Sequence, residues 1–166
     1  MNNIAFIRLV EDKTNAILST KQNVGRQAIA TTRGQQVEVA AEELLASHPN
    51  VESIECQVFD ENIDEFSNID LVINTKDGRR IYVPCARDLW KGTSQQDRLQ
   101  IVWSKYKSGL FNDYDVVYLC LDTVDDILNK VYRKSARRGP TIKRCVQTLV
   151  DDNIIMNFDS LLSYLN

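Results

Sequence analysis

The apolar positions of this chain fall into runs of two different periods. QQVEVAAEELLASH (35–48) places Val37, Ala40, Ala41, Leu44 and Leu45 at helical spacing with Pro49 just beyond, which predicts an amphipathic helix. VESIECQVFDE (51–61) alternates roughly with period two, as a half-buried strand does. NIDLVINT (68–75) and RRIYVPCA (79–86) are two further strand-like runs, joined by Lys76-Asp77-Gly78, and Asp-Gly is a strong hairpin signal. Ser94-Gln95-Gln96-Asp97 has the form of a capping box with Ser94 as N-cap, opening a helix whose apolar face is Leu99, Val102, Trp103 and Tyr106. DVVYLCLDT (115–123) is a continuous apolar run of the kind buried on both faces. Thr123–Asp126 reads as a cap for a further helix that Gly139-Pro140 breaks; TIKRCVQTLV, a short IIM strand and DSLLSYL finish the chain. At the front, IAFIRLV (4–10) reads as a short strand or buried segment, and residues 14–35 are polar with no assignable period.

The order is therefore helix, three strands, helix, strand, helix. Two antiparallel connections followed by a helical crossover predict an α/β fold in three layers. One domain over residues 1–166 is expected, with a core at about 34–123 and a basic helical extension at 124–166.

Composition adds exclusions. Hydrophobic residues at 43% and charged residues at 26% are ordinary for a globular chain and argue against disorder. No apolar run approaches the roughly 20 residues that span a bilayer, so no membrane partner is expected. MNNIAFIRLVEDK has neither a basic start nor a small-residue cleavage site. Cys56, Cys85, Cys120 and Cys145 are widely spaced, which suggests buried free thiols in a reducing cytoplasm. His48, the single histidine, sits at a helix end, where capping is its natural role, and with scattered cysteines it makes no zinc site. No P-loop or GxGxxG is present, so no nucleotide cofactor is expected. Net charge is −3, yet Lys130–Arg144 holds seven basic residues and no acid. That stripe is either a phosphate-tracking surface or a solvated helix face.

The element order, with Gly34, Glu38, Ala41 and Leu45 in the first helix and Asp70-Leu71-Val72 opening the second strand, resembles the PD-(D/E)XK nuclease superfamily. Within it the chain is similar to Holliday-junction resolvases, resolvase-like small bacterial proteins and small type II restriction endonucleases, over roughly residues 34–123. The resemblance implies a restriction-endonuclease-like α-β-β-β-α-β core, an endonuclease acting on DNA, and Mg²⁺ (or Mn²⁺) as cofactor. It also implies a homodimer, since one such site cuts one strand and two-fold DNA suits two copies.

Phosphodiester hydrolysis needs charge stabilisation at a non-bridging oxygen and an acidified water, and Mg²⁺ supplies both through hard oxygen ligands. On the family pattern Asp70 is the bridging ligand, Glu38 reaches the metal directly or through water, and the main-chain carbonyl of Cys85 is a further ligand. Glu42 and Glu43 share the helix with Glu38 and compete with it as plain surface charge. The third-strand triplet falls on Pro84-Cys85-Ala86, so Pro84 stands at the second carboxylate position and Ala86 at the catalytic lysine position. Period two puts Pro84 and Ala86 on one face with Tyr82 and Asp88. Three accounts stay open: a lysine exchanged for alanine, a natural loss of activity that leaves a DNA-binding or assembly protein, or a shifted register in which Arg87, Asp88 or Lys91 acts.

DNA contacts are expected from Arg87, Lys91, Gln95, Gln96 and Arg98, and from Arg133, Lys134, Arg137, Arg138, Lys143 and Arg144. Trp90 is either a base-stacking wedge or a core residue.

Overall fold

The computed structural model of the chain describes residues 2–89, 92–121, 125, 129 and 139–166; of residues 2, 92–97, 139 and 140 only the backbone is described. Helix α1 (Asn2–Leu18) leads into α2 (Arg26–Leu45). An antiparallel set follows: β1 (Val51–Val58), β2 (Ile69–Thr75) and β3 (Arg80–Val83). The two-residue β4 (Cys85–Ala86), helix α3 (Gly92–Lys107), the short α4 (Leu110–Asp113) and β5 (Tyr118–Cys120) come next. Helix α5 (Gly139–Asp151), β6 (Ile155–Met156) and α6 (Phe158–Leu165) close the chain.

Two three-stranded sheets result, β1-β2-β3 antiparallel and β4-β5-β6 parallel. A parallel bridge between Tyr82 and Val116 ties them together. Side chains on the two faces enter separate clusters. Leu71, Ile73, Ile81, Val83, Cys85 and Leu119 meet α1, α2 and α6 through Phe6, Val37, Ala40, Ala41, Leu45 and Leu161. Val72, Tyr82, Ala86, Tyr118 and Cys120 meet α3 and α5 through Leu99, Val102, Ile142, Val146 and Leu149. Helices therefore cover both faces of the strands, in a mixed α/β arrangement with antiparallel connections early and crossovers late. Among the described residues no helix is long and apolar enough to cross a membrane.

Four expectations change. Residues 4–10 are the middle of a helix: Asn3, Phe6, Val10 and Thr14 are buried at one-turn spacing, and the Thr14 hydroxyl donates to the Val10 carbonyl at 2.7 Å. A short apolar run is ambiguous between helix and strand, and the i, i+4 stripe resolves it only with Thr14 included. The helix expected over 35–48 starts at Arg26, its polar first half held against α1 by Arg33 on Glu11 at 2.9 Å and further along by Lys13 on Glu43 at 2.6 Å. Helix α3 begins at Gly92, so Ser94 is inside the helix rather than at its cap. Cys56 is exposed, on β1 beside Glu42 of α2, while Cys85, Cys120 and Cys145 are buried as free thiols.

The core is also larger than 34–123, and the C-terminal part is no appendage. Phe6 of α1 stacks on Phe158 of α6 with centroids 4.6 Å apart, both at most 2% exposed. The Asn3 N–H donates to Asp159 at 3.0 Å, and the Phe158 N–H donates back to the Asn3 side chain at 3.3 Å. At the far end of α6 the orphan carbonyls of Tyr164 and Leu165 accept from the Arg79 guanidinium at 2.8 and 3.0 Å, and Asn50 also donates to Leu165 at 2.9 Å. Burial and hydrogen bonding thus tie both chain ends to the Asp-Gly hairpin, where Gly78 takes φ +90°, a conformation that favours glycine.

Replacing Phe158 with alanine should lower stability by about 3–5 kcal/mol, read from the urea midpoint; a loss below about 1 kcal/mol would place α6 outside the core, in the extension expected from sequence. Gly34, in the middle of α2, has open space where a Cβ would lie. Gly34→Ala should therefore raise stability by about 0.5–1 kcal/mol in the same assay.

Candidate functional site

The third strand changes partners at Pro84. Its first half pairs with β2, Leu71 opposite Val83 and Val72 opposite Tyr82. Continuing that register would set Pro84 against Asp70, but proline brings no N–H and the pairing stops. The strand is instead carried by β5 on its other edge: Leu119 donates to the Pro84 carbonyl at 2.9 Å, and Leu121 donates to the Ala86 carbonyl at 3.1 Å. The two sheets fork there. At the fork the Cys85 N–H, which has lost its neighbour in β2, donates to the Asp70 carboxylate at 2.7 Å. Period two breaks at the same place, since Ile69 and Leu71 enter opposite core clusters.

A second acid arrives from α2. The β1–β2 register pairs Cys56 with Leu71 and Val58 with Ile69, which places Gln57 opposite Asp70. Gln57 adopts φ +53°, rare for a side chain with a Cβ, and its amide donates to Glu38 at 2.7 Å and approaches Asp70 at 3.5 Å. Burial first, and then a hydrogen bond with Asp70 and the Asp70 charge, push the Glu38 carboxyl up to about 7. Two carboxyl groups from different elements thus share one spot, with an amide between them. Nothing in the one-dimensional pattern marks Gln57: it is one polar residue in an alternating strand, and only the cross-strand register gives it a role.

Asp70 also faces a cleft of about 780 Å³ between the fork, the loop at residues 61–68 and α3. Pro84, Cys85 and Tyr118 also line it, and Arg98, Ile101, Val102 and Lys105 line it as one helical stripe of α3. Lys105 is held by the Ile63 carbonyl at 2.7 Å. Glu38 does not line this cleft; it meets Asp70 from the α2 side.

The structure thus brings together Asp70, Glu38, Pro84, Cys85 and Arg98. Ala86 is nearby but only 4% exposed, facing Leu89, Leu99 and Val102 in the cluster beneath α3 rather than the cleft. Tyr82 shares that cluster, as alternation predicts. The Cys85 thiol points the other way, into the α2 side of the core, where burial and then the Asp70 and Glu38 charges raise its pKa well above the ordinary thiol value. Only the main-chain atoms of Cys85 are therefore suited to ligation. Arg87 lies 4.0 Å from Asp88, a carboxylate just 3% exposed. Lys143 and Arg144 sit on α5, whose inner face is Ile142, Cys145, Val146 and Leu149, and do not line the cleft. Lys91, Trp90, Arg133, Lys134, Arg137 and Arg138 lie outside the described residues, as does the expected cap at 123–126 except for Asp125; of Gln95 and Gln96 only the backbone is described. His48 caps locally, its Nδ1 accepting from the Asn50 N–H at 3.1 Å.

Among the described residues no group of three or more His, Cys, Asp or Glu side chains forms a ready metal cage. The donors at the fork still suit a hard cation, because Mg²⁺ takes one or two carboxylates and keeps several waters. The raised Glu38 value reports first the cost of burying its charge and then the cost of a second negative charge beside Asp70, and a divalent cation would offset the second.

That cost has a defined pH dependence. The folded value of about 7 lies above the ordinary 4.5, so the folded chain holds this proton more tightly and loses stability as pH rises from about 4.5 through 7. With metal chelated, Glu38→Gln should be more stable than the original chain by about 1 kcal/mol at pH 8, after allowing for solvent screening, and equal to it near pH 4.5. Urea midpoints at the two pH values check this, and a gain that does not change with pH would refute the pairing.

No protein-family model matches the chain, and no curated protein or solved structure matches it either. What the site does has to be argued from its own geometry.

Proposed function

We propose that this chain is a metal-dependent DNA endonuclease domain of the PD-(D/E)XK type, with Asp70 and Glu38 as its metal-holding acids. The observation that carries the reading is their meeting at the strand fork: one comes from the helix before the strands, the other from the second strand, and Gln57 bridges them. The element order α2, β1, β2, β3–β4, α3, β5 supports a restriction-endonuclease-like core. Asp70 and Glu38, with the Cys85 main-chain carbonyl, would hold Mg²⁺ or Mn²⁺, which supplies charge neutralisation at phosphate and a more acidic water. Gln57 orients Glu38 toward Asp70, and Asp70 accepts from the Cys85 N–H, which fixes its carboxylate plane. The substrate would be DNA, cut by a homodimer on two-fold symmetric duplexes or junctions.

A second reading has its own support. Ala86, at the lysine position, is 4% exposed in an apolar layer, and Pro84 offers no carboxylate. A DNA-binding or assembly domain on the same fold, without cleavage, would have that strand. Cleavage separates the two.

Supercoiled, linear and four-way-junction DNA should be incubated in Mg²⁺ or Mn²⁺ with this chain, Asp70→Asn and Ala86→Lys. Slow cutting by this chain is expected, lost in Asp70→Asn and not raised by Ala86→Lys, whose side chain would enter the apolar layer beneath α3 rather than the cleft. DNA bound but cut by none of the three would give the non-catalytic reading. MgCl₂ should also raise the melting temperature of this chain and not that of Asp70→Asn, since a ligand of the folded state alone stabilises it; equal shifts would remove Asp70 from the metal site.

A further inference from the structure

The apolar setting of Ala86 leaves the cleft without a cation from the third strand. We propose that the cation comes instead from α3, and that Arg98 clasps the phosphodiester facing Asp70; this rests on the nuclease reading above. Arg98, Ile101, Val102 and Lys105 make one stripe at i, i+3, i+4 and i+7 that lines the same cleft as Asp70. Within that stripe the two cations have different circumstances. Lys105 is spent on the Ile63 carbonyl at the outer loop. Arg98 is half-buried, and among the described residues no carboxylate forms an ion pair with it. Its charge also acts on the Tyr118 hydroxyl, which lines the same cleft.

The surrounding chemistry selects the ligand. Asp70 and a guanidinium line the same cleft, so an anion lodged between them would need a metal on the Asp70 side and a planar donor on the Arg98 side. A phosphodiester fits, because guanidinium can donate two parallel N–H bonds to phosphate oxygens. The acids that share the wall do not compete equally. Asp64 is occupied by the backbone N–H groups of Phe66 and Ser67 at 2.9 and 3.0 Å. Glu61 and Glu65 are exposed on the rim and would disfavour DNA that approached over the 61–68 loop. Phosphate therefore enters from the α3 side, over Arg98.

The test is the salt dependence of binding, which a merely structural residue would not change. A fluorescent duplex and a four-way junction are titrated in CaCl₂ at several salt concentrations with this chain, Arg98→Met, Arg98→Gln and Arg98→Lys. Loss of one phosphate contact should reduce the slope of log affinity against log salt by about 0.9. Arg98→Met and Arg98→Gln should show that change and bind about tenfold more weakly at moderate salt, while Arg98→Lys should keep the slope. Thermal unfolding confirms that each variant folds, and two neutral replacements guard against one failing. Unchanged slopes with DNA still bound would overturn the assignment of Arg98 and leave the nuclease reading standing. No binding of either DNA by the original chain would overturn both.

Discussion

The hydrogen bond from the Cys85 N–H to the Asp70 carboxylate is the hinge of this molecule. A β-strand cannot leave one neighbour for another without stranding backbone groups, and a buried unpaired N–H costs on the order of 1–3 kcal/mol. Here the third strand leaves β2 at Pro84, a residue with no N–H to strand, and the next N–H is met by a carboxylate from the strand being left. β5 takes up the carbonyls of Pro84 and Ala86 on the other edge. The fork and the cleft both follow from this exchange. Asp70 is therefore a structural acid before it is anything else, and Gln57 approaches its second oxygen at 3.5 Å.

Charge then sets the character of the fork. Glu38 is brought to Asp70 by α2, which has no freedom to withdraw because Val37, Ala40, Ala41 and Leu45 are wholly buried against the strands. Gln57 eases the contact as a neutral donor, but burial, with Asp70 beside it, still raises the Glu38 carboxyl to about 7. Along the cleft the sign reverses, with Arg98 lining it and Lys105 tied to the loop. Asp70 and a basic helix face thus border one cleft of about 780 Å³.

Much of this was legible from local pattern. The strands at 51–58, 69–75 and 80–83, the Asp-Gly hairpin and the later half of α2 each declare themselves through period and turn chemistry. Asp70 and Glu38 were recognisable as candidates and do come together. The misses share one cause. Residues 4–10 pass for a strand because their apolar run is short, and the partner that makes them a helix face, Phe158, is far away in the chain. The C-terminal segment looks like an appendage for the same reason, since β6 and α6 are too short to show a core role without the neighbours they cover.

What the sequence determined alone was the core order of helix, antiparallel strands, crossover helix and strand, and the supply of acids and bases, because these depend on residue type and spacing within a few turns. The tertiary structure decided which of them meet. Gln57 became a bridge through the β1–β2 register, Ala86 went under α3 while Asp70 stayed at the fork, and Arg98 was aimed at the cleft by the crossover helix. Proximity between residues distant in sequence is set by register, strand exchange and the packing of helices on both faces. None of these is encoded in any one window of the chain, because each is fixed only when the whole core closes.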